Sequence, residues 1–199
     1  MKKYIPLFVI VLVLIIDQWS KIYIKSHWIL GQEWKIADWF IIHFTENNGM
    51  AYGIEFGGHW GKLALSLFRV IAISLIGVYL YKTIKESQKP MGYLISVALV
   101  FAGALGNIFD SAFYGLIFND SYFQVASFMP DAGGYAGFLH GKVVDMLYFP
   151  LFQGQFPDWF PIWGSEQFLF FRPVFNVADS AITVGIALVL LLYRNQLLK

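Results

Sequence analysis

Four nearly unbroken apolar stretches, near 4–24, 63–81, 91–109 and 174–193, are separated by one short and two long mixed segments. Each holds about 20 residues, which as a helix rising about 1.5 Å per residue matches a hydrocarbon layer of about 30 Å. The pattern predicts an all-α transmembrane core of four helices within a single membrane domain, 1–199. The long segments, about 25–62 and 110–173, differ in character. Residues 40–46 read as a strand, Asn47-Asn48-Gly49 as a turn and residues 50–56 as a return strand, so a small extracytoplasmic β-platform is expected over the helices. Lys2, Lys3, Lys82, Lys85, Lys89, Arg194 and Lys199 all fall in short segments on one side. That bias predicts cytoplasmic N- and C-termini and outward-facing long loops. Residues 1–16 look like the start of a signal peptide, but Asp17, Gln18, Trp19 and Lys21 stand where a small-residue cleavage site would be. An uncleaved span is expected.

Composition narrows the function classes. Of 199 residues 58% are hydrophobic and only 14% charged, against about 25% charged in ordinary soluble chains. A chain this short cannot bury that much apolar surface in its own core, so lipid must cover the rest. The near-neutral balance of 14 basic and 13 acidic residues offers no polycationic face for nucleic acid. The chain has no cysteine, which excludes a disulfide framework and thiol chemistry. No His-Glu-x-x-His, Gly-x-Ser-x-Gly or phosphate-cradling glycine loop occurs, and neither a metal nor an organic cofactor is expected.

The charges inside the spans share one depth. Asp17 lies about 20 Å along the first helix from Tyr4. Asp110 closes the third span, Asp179 opens the fourth, and Arg69 sits near the outer end of the second. Intramembrane charges cost a few kcal/mol each and normally pair or line a wet cavity, so four at one level point to a shared polar site. Asp17 and Lys21, four apart, share a helix face and read either as part of that site or as a structural ion pair. Asn107 with Asp110, and Asn176 with Asp179, repeat an Asn–Asp step of three. Gly103, Gly106, Ala181 and Gly185 remove bulk beside these steps, as close helix crossings require. Asp145 lies among valines, Met146 and Leu147. Two carboxyls held close cannot both ionise freely, so one keeps a proton while the other activates water. That chemistry hydrolyses a peptide bond, yet the residues alone do not choose between Asp110 and Asp145 as the second acid. A small ion- or proton-coupled transporter subunit is the competing class, although polar groups do not continue into the inner halves of the spans.

Five stretches, taken together and in order, resemble the signal peptidase II (lipoprotein signal peptidase) family. They are Asp17-Gln18-Trp19-Ser20-Lys21, Asn47-Asn48-Gly49-Met50-Ala51-Tyr52, Gly103-Ala104-Leu105-Gly106-Asn107-Ile108-Phe109-Asp110, Gly141-Lys142-Val143-Val144-Asp145 and Phe175-Asn176-Val177-Ala178-Asp179. The resemblance implies a four-helix membrane aspartyl endopeptidase that works without a cofactor. Its substrates would be diacylglyceryl-modified prolipoproteins, cut at the outer face of the bacterial cytoplasmic membrane. It further implies Asp145 and Asp179 as the catalytic pair. Asp17, Lys21, Asn107, Asp110, Asn176 and Ala178 would support the pair or contact substrate, with Asn47 and Gly49 in the outer platform. Globomycin-like cyclic peptides are expected inhibitors, membrane lipid the surroundings, and a monomer the working unit. Two departures stand out. Ser111 occupies a position where the family carries arginine, and Arg69, at matching depth, is expected to supply the missing charge. About 25 extra residues precede Gly141, with Gly133-Gly134-Tyr135-Ala136-Gly137 reading as a mobile flap or an inert insertion.

Overall fold

The computed structural model describes residues 4–48, 58–86, 88–170 and 173–197. The first apolar run forms helix α1, Ile5–His27, with Pro6 in the first turn, where a missing N–H costs nothing. Helix α2 spans Gly58–Glu86 and α3 Met91–Phe109. Pro90 precedes α3 and closes the short connection between the two. The helical path does not stop at Phe109. It passes through a π-helical turn, Asp110–Tyr114, and a single α turn, α4, Gly115–Ile117. The outer segment expected to start at 110 is therefore helical for its first eight residues.

The fourth apolar stretch is divided. Val174–Phe175 pair as a strand, Asn176 caps, and helix α5 runs Val177–Leu192. At 16 residues α5 is about 24 Å long, so the expected span over 174–193 is shorter than the hydropathy pattern implies. Among the described residues three helical segments are long and apolar enough to cross a membrane: Ile5–His27, Trp60–Glu86 and Met91–Ile117. Their outward faces carry exposed side chains such as Leu7, Phe8, Ile15, Phe68 and Leu75, the surface lipid must cover.

Helix α3 is the centre of the bundle, packed against α1, α2 and α5. Missing side chains make this possible. A Cβ on Gly103 would lie 2.7 Å from Ile182 Cγ1, one on Gly106 2.6 Å from Asp17 Oδ2, and one on Gly185 2.6 Å from the Ser96 carbonyl oxygen. One buried cluster, Leu80, Tyr93, Val97, Ala98 and Val189, holds the end where α2 and α3 connect. Another, with Ile24, Phe44, Tyr114, Phe118, Val144 and Met146, joins the other end to a sheet.

That sheet holds β1 (Glu33–Ala37), β2 (Phe40–Asn47), β3 (Val143–Tyr148) and β6 (Val174–Phe175), antiparallel in the order β1-β2-β3-β6. Strands β4 (Phe152–Gln155) and β5 (Gln167–Phe170) form a separate hairpin. The expected strand at 40–46 is present as β2. Its observed partners are β1 and β3, and the expected return strand at 50–56, like Gly49, lies outside the described residues. Register places Thr45 opposite Asp145 and Asn47 opposite Val143. The glycine-rich stretch at 133–137 folds back on the end of α4. Ala136 N–H donates to the Gly115 carbonyl at 2.9 Å and Tyr135 N–H to Phe118 at 3.0 Å.

Candidate active site

Helices α1, α3 and α5 converge with β2 and β3 on a set of polar side chains, several of them fully buried. Lys21 organises one half. Its ammonium sits 2.9 Å from Asp17 Oδ2, 2.8 Å from Asp110 Oδ2 and 3.0 Å from Asn107 Oδ1. All three N–H bonds are thereby used, and Asp17, Lys21 and Asp110 are inaccessible to solvent. Both remaining carboxylate oxygens are engaged as well. Asp17 Oδ1 accepts the Ala178 N–H at the start of α5 at 2.9 Å, and Asp110 Oδ1 accepts from Gln18 Nε2 at 2.9 Å. Val144 N–H adds a longer contact to Asp110 Oδ2, 3.3 Å.

An ammonium only donates, so Lys21 fixes which end of the Asn107 amide is oxygen. The nitrogen end then donates to Asp179 Oδ1 at 2.7 Å. Asn176 is fixed the same way. Its Oδ1 accepts the Asp179 N–H at 2.9 Å, completing a capping box with the Asp179 carboxylate. Its Nδ2 therefore faces Asp145, donating to Oδ1 at 2.7 Å, with longer contacts to Asn107 Oδ1 and the Val144 carbonyl. Asn47 donates to the other Asp145 oxygen from β2. One capping asparagine thus joins the carboxyl on β3 to the first turn of α5.

The aspartates fall into two kinds. Asp17 and Asp110 share the single ammonium of Lys21. Asp145 and Asp179 are instead held by neutral amide donors. Asp145 is 2% exposed. Burial, and next the field of Asp179, push its carboxyl up to about 8, against the opposing pull of Lys21 and of its donors Asn176 and Asn47. Helix α2 turns Arg69 inward, half-buried and within electrostatic reach of Asp179 first and Asp145 second. Ser111 is buried, and its hydroxyl donates back to the Asn107 carbonyl at 3.1 Å.

Of the residues singled out by sequence, Asp17, Lys21, Asn47, Asn107, Asp110, Asp145, Asn176, Ala178 and Asp179 are brought into this one network, and Arg69 faces the Asp145–Asp179 pair. Gly49 lies outside the described residues. Gln18 was not singled out, yet it bonds Asp17, Asp110 and the Gly106 carbonyl, and accepts from Tyr114. Its signal was a lone amide inside an apolar run. Among the described residues no group of three or more His, Cys, Asp or Glu is placed to hold a metal ion.

A multi-pass membrane protein with a buried cluster of aspartates and amides is the class these elements define. Residues 9–194 match the sequence model of signal peptidase II, and the chain belongs to that family of aspartic peptidases. It is 50% identical over 184 residues to a lipoprotein signal peptidase of Porphyromonas gingivalis, covering 92% of this chain and 80% of that one. It is 37% identical over 183 residues to that of Amoebophilus asiaticus, covering 90% and 73%. Among solved structures, a bacterial membrane enzyme determined by the in meso method at 2.3 Å resolution superimposes with a TM-score of 0.61 at 25% identity, over 96% of this chain and 88% of that chain. The transporter alternative finds no support in these likenesses.

Proposed function

We propose that this protein removes the signal peptide from diacylglyceryl-modified prolipoproteins, using Asp145 and Asp179 as a water-activating pair. The single observation that carries the assignment of the pair is the contrast between aspartates. Lys21 forms its ion pairs with Asp17 and Asp110, whereas the hydrogen bonds to Asp145 and Asp179 come from neutral amides, Asn176 and Asn47 on the first and Asn107 on the second. A carboxyl at about 8 keeps its proton at neutral pH, which suits Asp145 to the acid role and leaves Asp179 as base.

In this reading Asp179 takes a proton from water as the oxygen attacks the scissile carbonyl carbon. Asp145 gives its proton to the carbonyl oxygen, and a neutral gem-diol results. As it collapses, the C–N bond breaks, the nitrogen takes the proton from Asp179, and Asp145 recovers one from a hydroxyl. Asn107 and Asn176 hold the two carboxyls in register throughout. Arg69 supplies the positive charge near Asp179 that Ser111 lacks, stabilising the ionised partner.

The basic short segments favour cytoplasmic termini, which would set the sheet and the aspartates at the outer face of the bacterial cytoplasmic membrane. The acyl chains of the substrate would then remain in lipid and fix the depth of the scissile bond. Purified protein in detergent, given a prolipoprotein with and without its diacylglyceryl group, is expected to release the signal peptide only from the lipidated form. Equal cleavage of both forms, or of neither, would overturn the substrate assignment.

A further inference from the structure

A second buried ionic cluster lies one helical turn beyond Lys21. Lys25 is fully buried, and its ammonium pairs with Glu46 and donates to Ser121 Oγ at 2.8 Å. Ser121 in turn donates to Glu46 Oε1 at 2.9 Å. A second ammonium, Lys142, stands 3.4 Å from Glu46 Oε2 and 3.7 Å from Asp120 Oδ2. Phe118 and Tyr135 present their rings to Lys25 at 5.4 and 5.0 Å. The Tyr135 hydroxyl accepts the Lys142 backbone N–H at 2.6 Å.

The position of this cluster along the two strands gives it consequence. Glu46 is the residue before Asn47 on β2, and Lys142 is the residue before β3 begins. In register, Glu46 lies opposite Val144 and Asn47 opposite Val143. The cluster therefore clamps β2 to β3 at the point where Asn47 reaches across to Asp145, and clamps both to α1. Side chains alternate along a strand, so Glu46 points to the face away from Asn47 and has no part in the chemistry itself. The extra segment before Gly141 supplies Phe118, Asp120, Ser121 and Tyr135, which closes the clamp from above.

We propose that Glu46, held by Lys25 and Lys142, is a positioning residue that sets the Asn47 donor on Asp145, and that the extra segment is there to complete its cage. The inference rests on the assignment of Asp145 as an acid of the pair. Among the described residues the charged groups that act most strongly on Asp145 are Asp179 from α5 and Lys21 from α1, with Arg69 from α2 also in reach, and none of these three belongs to the clamp. A change at Glu46 thus reaches Asp145 through Asn47 rather than through a direct field.

The test compares Glu46→Gln, Asn47→Ala and the double variant in detergent, with kcat and KM followed against pH on a lipidated prolipoprotein. Loss of a hydrogen bond to a charged group predicts that Glu46→Gln lowers kcat about tenfold, with KM changed less than about twofold. The alkaline limb of kcat moves upward, as it does in Asn47→Ala, because the ionised carboxyl has lost a donor. In the Asn47→Ala background, Glu46→Gln adds less than about a twofold further loss. Should Glu46→Gln not fold, Lys142→Met, which keeps the Lys25–Glu46 pair, is measured in its place and moves the limb the same way. A lowered melting temperature with wild-type kcat and pH profile, or losses that multiply in the double variant, overturns the proposal. Asp145→Asn run alongside separates the two levels: if it cleaves, the acid assignment itself has failed, and if it is inactive, the failure is the clamp's alone.

Discussion

Asn176 donates to Asp145 at 2.7 Å while its own oxygen caps the helix that carries Asp179. One side chain thereby serves local helix stability and the relative placement of two acids. Asn176→Ala loses both. The cap alone is worth about 1 kcal/mol, read as a drop in unfolding free energy or melting temperature. The lost donor to Asp145 predicts a further fall in kcat of about tenfold or more. Asn176→Asp keeps an oxygen for the cap but replaces the Nδ2 donor with a third carboxyl, buried beside Asp145, so it is expected to regain neither full stability nor activity.

The proton on Asp145 has a signature in stability. Its ordinary value near 3.8 rises to about 8 in the folded protein. Between those limits the native state binds more protons than the unfolded one, so this group's contribution is full below about pH 4 and is lost as pH rises through about 8. Asp145→Asn mimics the protonated form and should flatten that decline. Denaturation of both proteins from pH 5 to 9 checks this, and a steeper slope in the variant would contradict it. Wild-type activity is expected to fall on an alkaline limb near pH 8, belonging to the Asp145–Asp179 pair as a unit.

Lys21 stands between two buried carboxylates, and among the described residues it is the cation that pairs with both. Lys21→Met leaves Asp17 and Asp110 desolvated without a cation, at a cost of about 3–5 kcal/mol. Loss of folded protein is the expected outcome, measured as yield and melting temperature in detergent. Adding Asp110→Asn to Lys21→Met should recover part of the loss, since one of the stranded charges is then gone.

Gly106 lets Asp17 approach α3. A Cβ there would lie 2.6 Å from the Asp17 carboxylate and 3.3 Å from the Ala178 methyl. Gly106→Ala must move Asp17, which also bonds the Ala178 N–H at 2.9 Å. Overpacking of this sort costs about 1–3 kcal/mol, so a lowered melting temperature is expected, together with reduced activity from a displaced α5. Gly137→Ala controls for glycine loss away from the helices, since its added Cβ meets nothing within 4 Å and its backbone lies outside the left-handed region.

The helices were legible because membrane spans write themselves as long apolar runs, and the Asn–Asp steps were legible because a spacing of three shares a helix face. The start of the fourth helix was not. Val174 and Phe175 are as apolar as a span, and hydropathy does not separate a short strand from the helix that follows. Asn176 with Asp179 three residues on is also a readable capping box, and a shared helix face is only half of what that spacing marks. The pairing of β2 with β3 joins residues about a hundred apart, and neither strand carries a mark of its partner. For that reason the sequence alone left Asp110 and Asp145 open as second acid. Lys25 and Glu46 were hidden in the same way, each ordinary until the fold brought them together.

Replacement of each aspartate in turn by asparagine, Asp17, Asp110, Asp145 and Asp179, with single-turnover cleavage of a diacylglyceryl-modified prolipoprotein, tests the central claim most directly. Asp145→Asn and Asp179→Asn are expected to remain folded and to lose at least about 100-fold in rate, the scale of a lost acid or base. The Asp17 and Asp110 variants should fail chiefly through stability. A folded Asp145→Asn or Asp179→Asn protein that still cleaves at a rate near wild type would contradict the two-carboxyl account.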